Sequence, residues 1–122
     1  ASIRAMHERF AYSSSKAAIA MMTRSIAVDY VKEGIRANCI CPARVHTPFI
    51  ENYLTKYYPG QEKERFEALS RYQPAGRMIY PAEVAAMAVY LCSEESAMVN
   101  GASFVIDGGV MAGDQPLPEC GG

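Results

Sequence analysis

A helical pattern that passes through one glycine straight into a strand pattern constrains this chain more than any other feature. In "SSSKAAIAMMTRSIAVDYVKEGIRANCICPARV" the apolar residues Ala17, Ile19, Ala20, Met22, Ile26, Ala27, Tyr30 and Val31 recur at three- and four-residue steps, with Lys16, Arg24, Asp29 and Lys32 between them. Apolar residues at that period form one stripe of a helix, so the spacing predicts a helix over 13–32. Gly34, after Lys32 and Glu33, is its stop signal: glycine takes the left-handed conformation that ends helices, and a cation suits the last turn. "IRANCICPARV", positions 35–45, then reads as a short buried strand that gives way to a loop at Pro42. Helix, tight turn and strand in that order belong to parallel α/β architecture.

The rest of the chain fits the same class. Thr47 and Pro48 form a helix start, with proline at the first helical position, ahead of "FIENYLTKYY". After the breaker Pro59-Gly60, the stretch 61–71 sets Phe66 and Leu69 among charges and reads as a second short, exposed helix. Two short helices carrying Phe49, Tyr53, Tyr57, Tyr58, Phe66 and, just beyond them, Tyr72 suit a lid better than a core. Pro81-Ala82-Glu83 opens another helix that closes near Cys92, and "SFVI" at 103–106 is a strand ending in the turn Asp107-Gly108-Gly109. Two parallel strands cannot bury faces this apolar, because parallel sheets contain several strands and are covered on both sides. The chain opens on Ala1 with no initiator Met and reads as a piece of a longer protein. The expected organisation is one domain portion over residues 1–110, followed by a Pro/Gly-rich, disordered tail over 111–122.

Half of the residues are hydrophobic, a fifth are charged, and 12 basic residues face 13 acidic ones for a net charge of −1. Neither a basic patch for nucleic acid nor an apolar run of the roughly 20 residues that span a bilayer is present. No secretory leader is visible, so the expected compartment is the cytoplasm and the expected partner a small molecule. Cys39, Cys41, Cys92 and Cys120 lack the density of a disulfide scaffold and read as reduced thiols. The Cys39-x-Cys41 pair would need two more ligands at short spacing to hold zinc, and neither Cys92, Cys120, His7 nor His46 is spaced that way, so no metal site is expected.

Tyr12 and Lys16, four positions apart, fall on one helix face with Cβ atoms about 6 Å from each other. A phenol is a poor base at neutral pH, but a nearby ammonium favours its phenolate form and would let it exchange a proton with an alcohol or carbonyl oxygen. On spacing alone the pair also reads as two amphipathic side chains on a solvated face.

Beyond that pair, "YSSSKAAIAMMTRSIAVDYVKEGIRANCICPARVHTPF" and "GRMIYPAEVAAMAVYLCSEESAMVNGASFVIDGG" closely resemble the C-terminal half of the short-chain dehydrogenase/reductase family. The likeness rests on linked elements in order, from the Tyr-x-x-x-Lys helix through "GIRAN", "P-x-x-V-x-T-P" and "GR" before Pro-Ala-Glu to the closing "DGG", and runs from about Ser2 to Gly109. It implies an α/β fold, the C-terminal portion of a Rossmann-like doubly wound parallel sheet whose N-terminal dinucleotide-binding half is missing. It also implies an NAD(P)-dependent oxidoreductase that moves a hydride between a nicotinamide cofactor, NAD or NADP, and a secondary alcohol or ketone.

By the same resemblance, Tyr12 is the catalytic acid/base, and Lys16 the lysine that favours its phenolate and hydrogen-bonds the nicotinamide ribose. Ser2 matches the serine that holds the substrate oxygen. Only nine residues separate it from Tyr12, fewer than the family usually has, and it reads equally as a frayed terminus. Pro42, Val45 and Thr47 match positions lining the nicotinamide side of the cofactor, with Ala43 where the family has glycine. Asn38 matches a structural strand residue, and His46 reads as a surface residue rather than a catalyst. No G-x-x-x-G-x-G turn for the pyrophosphate occurs in the sequence. Arg9 and Arg71 are candidates to clamp a carboxylate, pointing to a small hydroxy acid or a sugar-type substrate, and both also read as solvated arginines. The family relation implies homo-oligomers of the full-length form. The alternative reading is a non-catalytic fragment that acts as an interaction or oligomerisation module through its exposed apolar faces.

Overall fold

A computed structural model describes residues 4–113. In chain order its elements are α1 (Phe10–Asp29), β1 (Cys39–Pro42), α2 (Pro48–Tyr57), α3 (Glu62–Arg71), α4 (Pro81–Cys92) and β2 (Ser103–Ile106), with 3-10 turns at Val31–Glu33 and Glu94–Ser96. β1 and β2 pair in a two-stranded sheet. The Cys39 amide donates to the Ala102 carbonyl and the Ala43 amide to the Ile106 carbonyl, both at 2.9 Å, so the partners advance together and the pairing is parallel. The class is therefore the parallel α/β arrangement that the helix–glycine–strand pattern indicates. The described residues divide into two compact units, one made of the chain up to Cys41 with Val84–Val105, the other of Pro42–Glu83 with the chain from Ile106 onward.

In the first unit α1 begins at Phe10, three residues before the expected start, with Arg9 as an N-cap that offers no side-chain hydrogen bond. The α-helix stops at Asp29, and the 3-10 turn Val31–Glu33 carries the chain on to Gly34. Gly34 sits at φ +75°, and its amide donates to the Val31 carbonyl at 3.1 Å, the left-handed cap that the sequence signals. The buried face of α1 is narrow, Ala20 and Ala27. Polar side chains hold the segment around β1 and β2 in register. The Asn38 amide donates to the Val99 carbonyl at 2.8 Å while its oxygen accepts from the Ala102 amide at 3.0 Å. Asn100 takes the Ala37 amide on its oxygen and donates to the Ala27 carbonyl, each at 2.9 Å. Arg36 spans to the carbonyls of Leu91 (2.9 Å) and Val99 (3.0 Å), so a cation meets the C-terminal carbonyls of α4.

In the second unit the expected helices appear with their expected signals. Thr47 precedes α2 in an extended conformation, with Pro48 in its first turn, and α3 follows the break at Gly60. Most of both helices is exposed, with Leu54 the buried apolar anchor of α2. The segment after α3 holds a feature absent from the sequence reading. Val45 and Ile79 form an isolated parallel bridge, fixed by the His46 amide to the Ile79 carbonyl (2.8 Å) and the Ile79 amide to the Arg44 carbonyl (2.9 Å). Met78 and Ile79 are both buried there, although "RMIY" is too short for a strand signal.

β2 closes on a turn in which the Asp107 carboxylate accepts the amides of Gly109 (2.9 Å) and Met111 (2.8 Å). Gly108 has φ +59°, and a Cβ placed on it would lie 2.9 Å from the Ala75 Cβ. Gly108→Ala is expected to destabilise the protein by about 1–3 kcal/mol, from left-handed strain plus the displaced Ala75 segment, read as a lower urea midpoint. Of the stretch expected to be a disordered tail, residues 114–122 lie outside the described residues, and 111–113 continue this turn. No helix among the described residues is long and apolar enough to cross a membrane.

Candidate active site

The first turns of α1 carry the chemistry-bearing pair. A helix brings i and i+4 together, and the Lys16 Nζ lies 5.5 Å from the centre of the Tyr12 ring, within cation–π range. Tyr12 is 50% exposed and Lys16 half-buried. The Ser15 hydroxyl between them donates to the Tyr12 carbonyl at 2.7 Å. One turn earlier, Arg9, Phe10, Ser13 and Ser14 help to line an open hollow of about 570 Å³. Its lip is held by the Met6 amide, which donates to the Ser13 hydroxyl at 3.4 Å. Arg9 is exposed there, so the candidate carboxylate ligand and the candidate acid/base pair share one helix end. Ser2 lies outside the described residues.

The remaining site candidates belong to the second unit. Pro42 ends β1 exposed, Val45 is half-buried in the bridge to Ile79, and Thr47 is half-buried ahead of α2. The Thr47 carbonyl accepts the Ile50 amide at 2.9 Å, while its hydroxyl makes no capping bond to the helix. Arg71 is exposed and ion-paired with Glu67, one turn back on α3, at 3.4 Å. His46 is half-buried, with its side chain still 30% exposed. Its Nε2 lies 2.9 Å from Glu51 Oε1, and its ring meets Phe66 edge-on at 5.0 Å, which ties α2 to α3. Among the described residues no group of three or more His, Cys, Asp or Glu is placed to hold a metal ion.

Sequence reasoning missed the strongest electrostatic feature of the second unit. Arg77 grips Glu83 with both ends of its guanidinium, Nη2 to Oε1 at 2.6 Å and Nη1 to Oε2 at 2.9 Å. Glu83 also accepts the Tyr80 amide at 2.8 Å, as the third residue of a helix does in a capping box. The Glu three residues after Tyr80 was the available signal. The Arg77 hydrogen bond, then the Tyr80 N–H, lowers the Glu83 carboxyl to about 2. Because the folded state binds this proton less readily than the unfolded chain, the pair stabilises above the ordinary carboxylate range, and that stabilisation is lost as the pH falls to about 2. Thermal melts are accordingly expected to show wild type losing more melting temperature than Glu83→Gln between pH about 5 and about 2, the gap closing at the acid end. Parallel acid profiles for the two proteins would show the pair to be inconsequential.

The family described as enoyl-(acyl carrier protein) reductase matches residues 1–111. The chain belongs to the short-chain dehydrogenase/reductase family. It is 42% identical over 108 residues to dehydrogenase/reductase SDR family member 6 of Rattus norvegicus, covering 88% of this chain and 43% of that protein. Among solved structures it is similar to a short chain dehydrogenase family protein from Francisella tularensis, with a TM-score of 0.82 and 36% identity over 89% of this chain and 46% of that one. It is likewise similar to L-sorbose reductase from Gluconobacter frateurii, solved with NADPH and L-sorbose, with a TM-score of 0.75 and 33% identity over 82% of this chain and 40% of that one. The chain thus spans less than half the length of each of these relatives.

Proposed function

We propose that this chain carries the proton-transfer part of an NAD(P)-dependent oxidoreductase acting on a secondary alcohol or ketone. The observation that supports it is the Tyr12–Lys16 pair on one exposed helix face, with the ammonium 5.5 Å from the ring centre. Lys16 alone offers up to three N–H groups to a nicotinamide ribose. Lys16 holds the ribose and favours the phenolate of Tyr12, while Pro42, Val45 and Thr47 line the nicotinamide side. The bound dinucleotide supplies the hydride chemistry. Tyr12 gives its phenolic proton to the carbonyl oxygen in reduction and takes it back in oxidation. Ser2 is the proposed second donor to that oxygen. Arg9, beside the hollow at the head of α1, is the proposed ligand for a substrate carboxylate or a polar sugar-type substrate. Arg71 is proposed as a second ligand that would exchange Glu67 for substrate.

The test is titration with NAD and NADP followed by turnover of a panel of secondary alcohols and hydroxy acids, read from the absorbance of the reduced nicotinamide, in a polypeptide carrying the whole family fold. Turnover with one dinucleotide preferred is the expected result. Absence of both binding and turnover overturns the proposal. A second reading, an oligomerisation module, is favoured by exposed apolar side chains along α1, among them Phe10, Met21, Met22 and Val28. It predicts self-association of the 122-residue chain in sedimentation, with no shift in melting temperature on adding dinucleotide.

A further inference from the structure

We propose that Arg44, in the loop that follows β1, is the binding site for the carboxylate of a small organic acid. The second unit holds four arginines, and three of them have a side-chain acceptor: Arg65 reaches Gln61 Oε1 at 3.4 Å, Arg71 pairs with Glu67, and Arg77 grips Glu83. Arg44 has none among the described residues. Its Nε is enclosed without an acceptor, the only such buried side-chain atom among the described residues, which leaves Nη1 and Nη2 as the end of the guanidinium that meets solvent. The group is also held in place. The Arg44 amide donates to Gln73 Oε1 at 2.7 Å, its carbonyl accepts the Ile79 amide at 2.9 Å, and the guanidinium carbon lies 4.6 Å from the centre of the Tyr72 ring. A permanently charged fork, partly desolvated and fixed on an aromatic face, binds an anion more strongly than a solvated arginine does, because less water and less rotamer freedom are lost on binding.

The chain itself shows what such a fork takes. Arg77 is stacked on Tyr80 at 4.7 Å, nearly the Arg44–Tyr72 distance, and its Nη1 and Nη2 meet the two oxygens of the Glu83 carboxylate end-on. Arg44 presents the same end of the same group on the same kind of ring, without the carboxylate. Its two terminal donors match the two oxygens of a planar monoanion. Phosphate is the competing source of the same oxyanion chemistry, but a dianion costs more to desolvate against one half-buried cation. Arg44 stands between Ala43 and Val45, in the stretch proposed to line the nicotinamide side, so the acid is read as the substrate; that step alone rests on the oxidoreductase proposal. Arg9 and Arg71 are both exposed and lack this enclosure.

The test is an NMR titration of the nitrogen-15-labelled polypeptide carrying the whole family fold, read at the Arg44 Nε–H, whose enclosure slows its exchange with water. Racemic lactate is the carboxylate probe, propane-1,2-diol its uncharged counterpart and inorganic phosphate the other oxyanion. Lactate is expected to shift the signal to saturation, the diol to leave it in place, and phosphate to act only at higher concentration. Arg65→Gln, which removes a stacked arginine that already has an acceptor, should keep the response. Arg44→Gln, followed at the Val45 amide, should weaken lactate binding by about 10- to 100-fold, the worth of hydrogen bonds to a charged group. Arg44→Lys should recover little of that loss, because a point charge lacks the fork. Should a variant misfold, the wild-type titration decides alone. An unmoved Arg44 signal, an equal response to the diol, or tighter binding of phosphate overturns the site whatever the enzyme turns over. A saturable lactate shift without dinucleotide-dependent turnover upholds the site and overturns only its assignment to the substrate.

Discussion

Tyr12→Phe is expected to lower kcat by about 10²–10⁴-fold, the range that a positioned acid/base group contributes, with little change in nicotinamide dinucleotide affinity. The substitution deletes one oxygen and leaves the rest of the turn as it is. The phenyl ring keeps its face toward the Lys16 ammonium, and the Ser15 hydroxyl still donates to the backbone carbonyl of residue 12. A fall in kcat therefore reports lost proton transfer rather than a displaced helix. Lys16→Met probes the two roles proposed for the ammonium: if the same group serves ribose and phenol, the substitution weakens dinucleotide binding as well as slowing turnover. The measurement is steady-state turnover beside a dinucleotide titration, in a polypeptide carrying the whole family fold. Retained turnover in Tyr12→Phe would remove the acid/base assignment.

The adjacency of Tyr12 and Lys16 was legible in the sequence because its geometry is local. A four-residue separation becomes adjacency as soon as a helix forms, and the helix is announced by its own apolar period. β2 was readable to the residue, since "SFVI" is bounded by Ala102 before it and Asp107-Gly108 after it. α2 and α4 were readable from their prolines. β1 is shorter than its apolar pattern, and the reason lies far along the chain. The Ala37 amide is taken by Asn100, and Asn38 spends both ends of its side chain on the backbone of Val99 and Ala102. Side chains thus replace ladder bonds just before Cys39, competing with the strand for backbone groups. The start of α1 was misplaced by three residues because Phe10 and Ala11 carry no capping signal, and Arg9 makes no side-chain cap bond. The Val45–Ile79 bridge and the Arg77–Glu83 grip depend on partners that no local period reveals, although Glu83 itself stands in a recognisable position.

Gln73 shows the same principle most sharply, and its removal carries the largest expected stability effect. It follows α3 in a stretch that reads as loop, yet it is only 1% exposed. Its side-chain oxygen accepts the Arg44 amide at 2.7 Å, and its side-chain nitrogen donates to the Arg77 carbonyl at 2.5 Å. One amide thus satisfies a donor on one side of the Val45–Ile79 bridge and an acceptor on the other. Gln73→Leu keeps much of the volume and strands both backbone groups. With about 1–3 kcal/mol for each unsatisfied buried group, the expected loss is roughly 2–6 kcal/mol, read as a lower urea midpoint at unchanged slope. Gln73→Glu divides the effect. An ionised carboxylate can still accept from Arg44 but has no proton for the Arg77 carbonyl, so its penalty at neutral pH should shrink as acid restores an O–H donor. If both variants unfold at the wild-type midpoint, the two backbone groups find other partners, and the bridge does not depend on this side chain.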